Sequence, residues 1–259
     1  MKLKINVVDA FTETQFGGNS AAVIITKDWL KDNLMQLIAL ENNLAETAYL
    51  IKVNYDHYKI RWFSPTKEVE FCGHATLAAA FVIFKQNPQL KNITIYAKAV
   101  GSIIVTKTTD NYIEMAFPNR KPEPVANIAV DLLSGLSIKP SEVLINSQAY
   151  FAVYKNETDV INVKQNKEHL KKLAPHGVVV TAKSTKYDFV SRYFCGDEDA
   201  VTGSIHTGLA PFWAEKLTKT KLIAYQASSR GGILLCRVNG AKVFIAGKAI
   251  PYLEGYINV

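Results

Sequence analysis

The chain nearly repeats itself at an offset of 130 residues, half of its 259. Tyr58, Arg61, Trp62 and Phe63 are echoed by Phe189, Arg192, Tyr193 and Phe194, and Cys72-Gly73-His74 lines up with Thr202-Gly203-Ser204. Ala80 then meets Ala210, residues 101–105 meet 231–235, and Ile113 and Met115 meet Val243 and Ile245. Identities are few, but the spacing holds for over forty residues with at most a one-residue slip. A duplicated fold sets equivalent residues of its halves face to face around a pseudo-twofold axis. The small-residue steps at 72–74 and 202–204 are therefore expected to wall a shared cleft.

The length admits one large domain or two of about 130 residues, and the repeat favours two. The expected lobes are 1–118 and 124–259, joined by the polar, Pro-rich stretch at 118–123, with the last residues free to pack back on the first lobe. A hydrophobic content of 48% suits a globular chain with a real core. No apolar run approaches the ~20 residues of a membrane span, so no membrane partner is expected. The N-terminus alternates like a strand and lacks a signal-peptide core, and three cysteines without metal-ligand spacing point to reduced thiols. A cytoplasmic protein without a bound metal is the expectation. The net charge of +7 comes from dispersed lysines such as Lys164, Lys167, Lys171 and Lys172. It reads as a solvated surface, with steering of an anionic ligand as the alternative. Without zinc-finger spacing, an RNA-binding signature or a basic stripe, no nucleic acid is expected as a partner. Without a Walker or dinucleotide fingerprint, no nucleotide cofactor is inferred.

Each half reads in the same order. Strands expected at 5–10 and 21–26 precede a helix that Asp28 would cap, with Leu30, Leu34, Leu37 and Ile38 at helical spacing. Strands at 47–52 and 59–63 follow, then a helix from Gly73 through Phe84 that is apolar on nearly every face. In the second half the counterparts are a strand at 149–154, a helix at 167–174, strands at 178–182 and 189–194, and a helix from Gly203 to about Lys216. A short helix is expected within 132–143. A helix apolar all round must be surrounded by protein. Closing hairpins follow in both halves, with turns at Asp110-Asn111 and Asn239-Gly240. Mostly antiparallel strands around one apolar helix per half is an α+β arrangement, too sparse in strand–helix alternation for a doubly wound parallel sheet.

With a glycine at the start of each buried helix, free backbone N–H groups and the aligned peptide dipoles make a site for an anion. Gly73 and Gly203 let a ligand approach the backbone closely. A small carboxylate-bearing metabolite fits between two such termini. Glu46 lies among Leu44, Ala45, Ala48 and Leu50. That apolar setting suits a carboxylate whose pKa is raised by burial, although the residues alone describe a surface glutamate better.

Three blocks carry a family resemblance. The first is Asp9-Ala10-Phe11 with Gly18-Asn19 and residues 43–48; the second runs from Arg61-Trp62-Phe63-Ser64-Pro65 through Glu70-Phe71-Cys72-Gly73-His74 to Ala78. The third is Asp199-Ala200-Val201-Thr202-Gly203-Ser204 with Leu209 to Trp213. Together they resemble the PhzF-like isomerases of phenazine biosynthesis over essentially the whole chain. The resemblance implies a diaminopimelate-epimerase-like fold, in which two pseudo-symmetric lobes, each a barrel-like sheet around a central helix, hold the active site in the cleft between them. It implies that Glu46 is the catalytic general acid/base. His74 becomes a pocket residue that hydrogen-bonds the ligand, and the helix dipole is expected to keep it neutral; a helix-capping or core histidine is the alternative. Asp199 would orient the substrate or relay a proton, against a plain helix-capping role. Ser204 with the Gly73 and Gly203 amides resembles a carboxylate cradle. Asn19 matches a pocket asparagine, next to Ser20 where the family usually has proline. A homodimer is also implied.

The implied activity is that of a cofactor-independent isomerase moving a proton within a small carboxylate-containing metabolite. A non-catalytic metabolite binder and a racemase using Cys72 are the alternatives. The related amino-acid epimerases use two facing cysteines; Cys72 holds the first such position, but Thr202, far too weak an acid, holds the second. Cys72, Cys195 and Cys236 are thus expected to be packing residues. His206, His176 and Arg230 are left without assigned roles, and the loop at 226–232 either borders the pocket or merely connects a hairpin. At the same offset Glu46 meets His176, so the halves are expected to share binding but not catalysis.

Overall fold

Residues 1–259 are all described by the computed structural model of the chain. Contacts divide them into two units, 1–116 with 246–259 and 117–245. In the first unit, β1 (Lys2–Ala10) and β2 (Asn19–Thr26) pair antiparallel. Helix α1 (Asp32–Asn42) carries the chain over to β3 (Glu46–Lys52), which lies parallel to β2. The next strand, β4 (His57–Phe63), runs antiparallel to β3, and the short β5 (Glu68–Val69) folds back on its end. Helix α2 (Gly73–Gln86) then crosses to β6 (Asn92–Ala97), parallel to β4, before β7 (Gly101–Lys107) and β8 (Ile113–Pro118) close a meander.

The second unit opens with β9 (Glu123–Pro124), α3 (Val130–Ser134) and β10 (Glu142–Ile145). From there the earlier order recurs. After β11 (Ala149–Val153), α4 (Glu157–Asn162) and α5 (Lys167–Leu170) lead to a parallel β12 (Gly177–Lys183). An antiparallel β13 (Phe189–Cys195) with the short β14 (Asp197–Asp199) comes next. Helix α6 (His206–Leu217) then crosses to β15 (Lys221–Gln226), parallel to β13. Next come β16 (Gly232–Asn239) and β17 (Lys242–Gly247), and β18 (Ala249–Asn258) runs antiparallel to β1 of the first unit. Both units are α+β. In both, each parallel pair is bridged by helix and the remaining pairs are antiparallel, as short connections require.

The expected chemistry of the elements is visible in their burial. Strand β12 is a continuous run, Gly-Val-Val-Val-Thr-Ala, buried at every residue but its last. Helix α2 is buried at every position from Gly73 to Phe84 except Phe81, and α6 from His206 to Trp213. Beneath α1, Ile24, Met35, Tyr49 and Phe63 form one core cluster. Leu132, Val160, Val180 and Phe194 belong to another in the second unit. Gly208 lets α6 press on β11: a Cβ there would sit 2.6 Å from Phe151 Cζ and 2.9 Å from Asn146 Nδ2. Gly208→Ala is therefore expected to cost roughly 1–3 kcal/mol of stability by overpacking, measurable by urea unfolding.

Several boundaries differ from the sequence reading. Residues 246–259 pack back on the first unit, as the sequence allows, so the second unit ends at Ile245, and β18 pairs with β1 along its length. Asp28 caps no helix: α1 starts at Asp32, and its N-cap, Lys31, makes no side-chain capping bond. The region 167–174 is one turn of α-helix followed by a 3₁₀ turn, and 132–143 yields α3 and then the start of β10. Helix α6 begins at His206, not Gly203. The residues before it form i→i+3 turns, with His206 N–H donating to Gly203 O and Thr207 N–H to Ser204 O. Cys195 is exposed, so it does not pack a core, whereas Cys72 and Cys236 are buried.

Candidate active site

In the first unit the sequence-named residues meet at one end of α2. Gly18 has φ of +63°, and a Cβ there would strike Ala10 O at 2.1 Å, so glycine alone allows the loop that delivers Asn19 to β2. Ser20, where the resembled family has proline, donates its hydroxyl to Asp9 Oδ1 across the β1–β2 pair. That bond pins the loop from the other side. Glu46 is the first residue of β3, paired in parallel register with Ala21. Cys72 is the N-cap of α2, extended at φ −142°, and makes no side-chain capping bond. His74 is the second residue of the helix, and the first-turn amides face the same end.

The side chains converge. His74 Nε2 lies 3.0 Å from Glu46 Oε2, with the two side chains 7% and 18% exposed. The contact is an ion pair rather than an aligned hydrogen bond, because Oε2 is buried yet has no hydrogen-bond partner of proper geometry. Asn19 Nδ2 stands 3.2 Å from His74 Nδ1. With the amide nitrogen turned inward, Asn19 donates to a neutral ring; with the amide turned over, its oxygen accepts from an imidazolium. Cys72 Sγ is 3.5 Å from Nδ1 and 3.9 Å from Nε2.

The electrostatics overturn two expectations. Burial works to raise the Glu46 pKa, but the contact and charge of His74, aided by Cys72, outweigh it and hold the carboxyl below its ordinary 4.5. Glu46 is thus a resting carboxylate, not the near-neutral acid that its apolar sequence neighbours suggest. Burial also works against the His74 cation, yet the Cys72 sulfur and the Glu46 carboxylate together hold its pKa above 6.5. The helix-terminus argument for a neutral His74 fails because an anion sits 3.0 Å away. Burial pushes the Cys72 thiol up to about 11, so it is a protonated thiol at neutral pH.

In the second unit, Asp199, Thr202 and Ser204 stand in a clamped loop between β14 and α6. The Thr202 hydroxyl donates to Asp199 Oδ2. Gln226, fully buried at the end of β15, accepts from Thr202 N–H at 2.9 Å and donates to Asp199 O at 3.0 Å. Gln148 Nε2 donates to Ser204 Oγ at 2.8 Å. Asp199 therefore braces its own loop rather than capping α6, whose N-cap makes no side-chain bond. Gln226 and Gln148 were not singled out as site residues; the only sequence signal was the glutamine that opens the 226–232 loop. His206 is fully buried, its Nδ1 donating to Thr202 O at 2.8 Å. His176 is half-buried and rests edge-on against Tyr150 at 5.6 Å.

The chain is similar to known proteins over essentially its whole length. The family model for phenazine biosynthesis-like proteins, PhzC-PhzF, matches residues 8–255. An uncharacterized isomerase of Pseudomonas aeruginosa is 42% identical over 263 residues, covering 100% of both chains. The solved structure of a PhzF-family phenazine biosynthesis protein from Enterococcus faecalis has a TM-score of 0.94 and 38% identity, again covering 100% of each chain. A hydroxyproline epimerase from Agrobacterium vitis has a TM-score of 0.63 at 10% identity, over 99% of this chain and 91% of that one, a likeness of fold alone.

Proposed function

The chain belongs to the PhzC-PhzF family of phenazine biosynthesis-like proteins and is an isomerase; from that premise we propose that it moves a proton within a small carboxylate-containing metabolite, without a cofactor, by general acid/base catalysis at Glu46. The observation that carries the proposal is the half-buried carboxylate of Glu46, whose buried Oε2 is ion-paired with His74 Nε2 at 3.0 Å and accepts no aligned hydrogen bond. A resting carboxylate is the correct starting form for taking a proton from carbon. The adjacent imidazolium stabilises negative charge that develops on the substrate, and the proton then returns from Glu46 to a second carbon. Asn19, which can face either protonation state of the ring, positions His74 throughout. The uncapped first turn of α2, at Gly73 and His74, offers N–H groups to a substrate carboxylate.

For the second unit, Asp199, Gly203 and Ser204 are proposed as substrate-binding groups, held rigid by Gln226 and Gln148. A racemase built on Cys72 is disfavoured, since a thiol with a pKa of about 11 is a poor base at neutral pH.

The pH profile tests the proposal. Glu46, lowered from 4.5, keeps its base form as the pH falls to that value and loses it only below. His74, raised above 6.5, keeps its cation as the pH rises through that value and loses it only above. The profile of kcat/KM is expected to be flat between 4.5 and 6.5, with an acid limb below and an alkaline limb above. Short pH jumps would separate ionisation from unfolding. An acid limb centred above 4.5 would show that His74 does not hold the carboxylate.

A further inference from the structure

Glu46, Cys72 and His74 bring a carboxylate oxygen, a sulfur and an imidazole nitrogen within 4.8 Å of one another. Proton transfer needs no sulfur, so Cys72 is the member of this cluster that the proposed chemistry leaves unused. One sulfur, one nitrogen and one oxygen is the donor set of a three-ligand zinc site with an open fourth position. Bond lengths of about 2.3 Å to sulfur and about 2.0–2.1 Å to nitrogen and oxygen place tetrahedral ligand atoms roughly 3.3–3.6 Å apart. The separations here, 3.9 Å from Sγ to Nε2 and 3.0 Å from Nε2 to Oε2, each lie within about 0.3 Å of that range, a side-chain adjustment from tetrahedral placement. Oε2 is a buried acceptor that faces His74 Nε2 and takes no aligned hydrogen bond. Asn19 stands beside Nδ1, and with its amide turned over its oxygen accepts from the Nδ1–H that a metal on Nε2 requires. Thiol with imidazole favours zinc-class cations over magnesium or calcium.

We infer that Glu46, Cys72 and His74 form a binding site for a zinc-class divalent cation. Binding forms metal–sulfur, metal–nitrogen and metal–oxygen bonds and releases the Cys72 thiol proton and the His74 Nε2 proton to the buffer, with no change of oxidation state. Because the cation occupies the Glu46 and His74 atoms proposed to move and stabilise the proton, it inhibits the isomerase; this clause alone rests on the proposed function.

Titration of the chelator-treated, full-length protein with Co²⁺ is the test. A near-ultraviolet sulfur-to-cobalt charge-transfer band is expected, saturating at one equivalent and displaced by Zn²⁺. Cys72→Ser is expected to abolish the band and Glu46→Gln to weaken Co²⁺ binding by at least about tenfold. Cys195→Ser, at the exposed cysteine, is expected to leave it intact. A missing band, a band that survives Cys72→Ser, or one lost with Cys195→Ser would overturn the site. Circular dichroism checks the fold of each variant, and if Cys72→Ser fails to fold, the Glu46→Gln and Cys195→Ser titrations decide. The readout uses no substrate. A missing band leaves the isomerase reading standing, and a failure to find turnover leaves the band.

Discussion

Glu46→Gln is expected to lower kcat/KM by about 100-fold or more, the usual contribution of a positioned general acid/base. The substitution keeps the shape of the side chain and its place at the start of β3, so the packing around α2 is preserved. What it removes is the basic oxygen and the negative charge beside His74. Without that charge, burial of His74 is opposed only by the contact with Cys72, and its pKa is expected to fall, taking the alkaline limb of the pH profile down with it. The loss should therefore appear in kcat as well as kcat/KM, since both the proton carrier and its electrostatic partner are affected. Turnover in heavy water adds a second readout. The wild-type enzyme is expected to place solvent deuterium at the accepting carbon whenever the Glu46 proton exchanges before it returns. Turnover of the variant within about tenfold of wild type would remove Glu46 from the mechanism.

How much of this was legible beforehand depended on the distance over which each property is decided. The first residue of helix α2 is legible, because Gly73 opens a stretch that is apolar on nearly every face. Helix α6 was placed three residues early, since Gly203-Ser204 looks the same in sequence whether it opens a helix or a turn with i→i+3 bonds. The family blocks point to Glu46, but not to the direction of its pKa. Its neighbours in sequence are apolar, while the group that decides its ionisation, His74, is 28 residues away. The braces of the second unit were hidden for the same reason: Gln226 reaches back 24 residues to Thr202, and Gln148 reaches 56 residues to Ser204. An isolated glutamine carries no local pattern, so nothing short of tertiary structure assigns its partners. The return of the last residues to the first lobe is allowed for by the sequence, but not the pairing of β18 with β1, because alternation along a strand does not say which strand it will pair with.

Mild acid is expected to destabilise the protein through His206, and the sign follows from its surroundings. The ring is fully buried at the first residue of α6, where the helix dipole opposes a cation, and it lies face to face with Phe189 at 5.9 Å. Nδ1–H donates to Thr202 O, while Nε2 is buried without a partner, so a proton added there would find no acceptor. Burial lowers the pKa from 6.5 to about 4. Between those values the unfolded chain binds a proton that the folded one refuses, so stability rises with pH through this window and is fully present above 6.5. At pH about 4.5 the loss relative to pH 7 is about 2–3 kcal/mol from this group alone. Urea unfolding of wild type and His206→Asn at both pH values isolates it. The variant is expected to be less stable at neutral pH, having lost the Phe189 contact, but its stability should fall by about 2–3 kcal/mol less on acidification. Equal losses in the two proteins would assign the acid sensitivity to other groups.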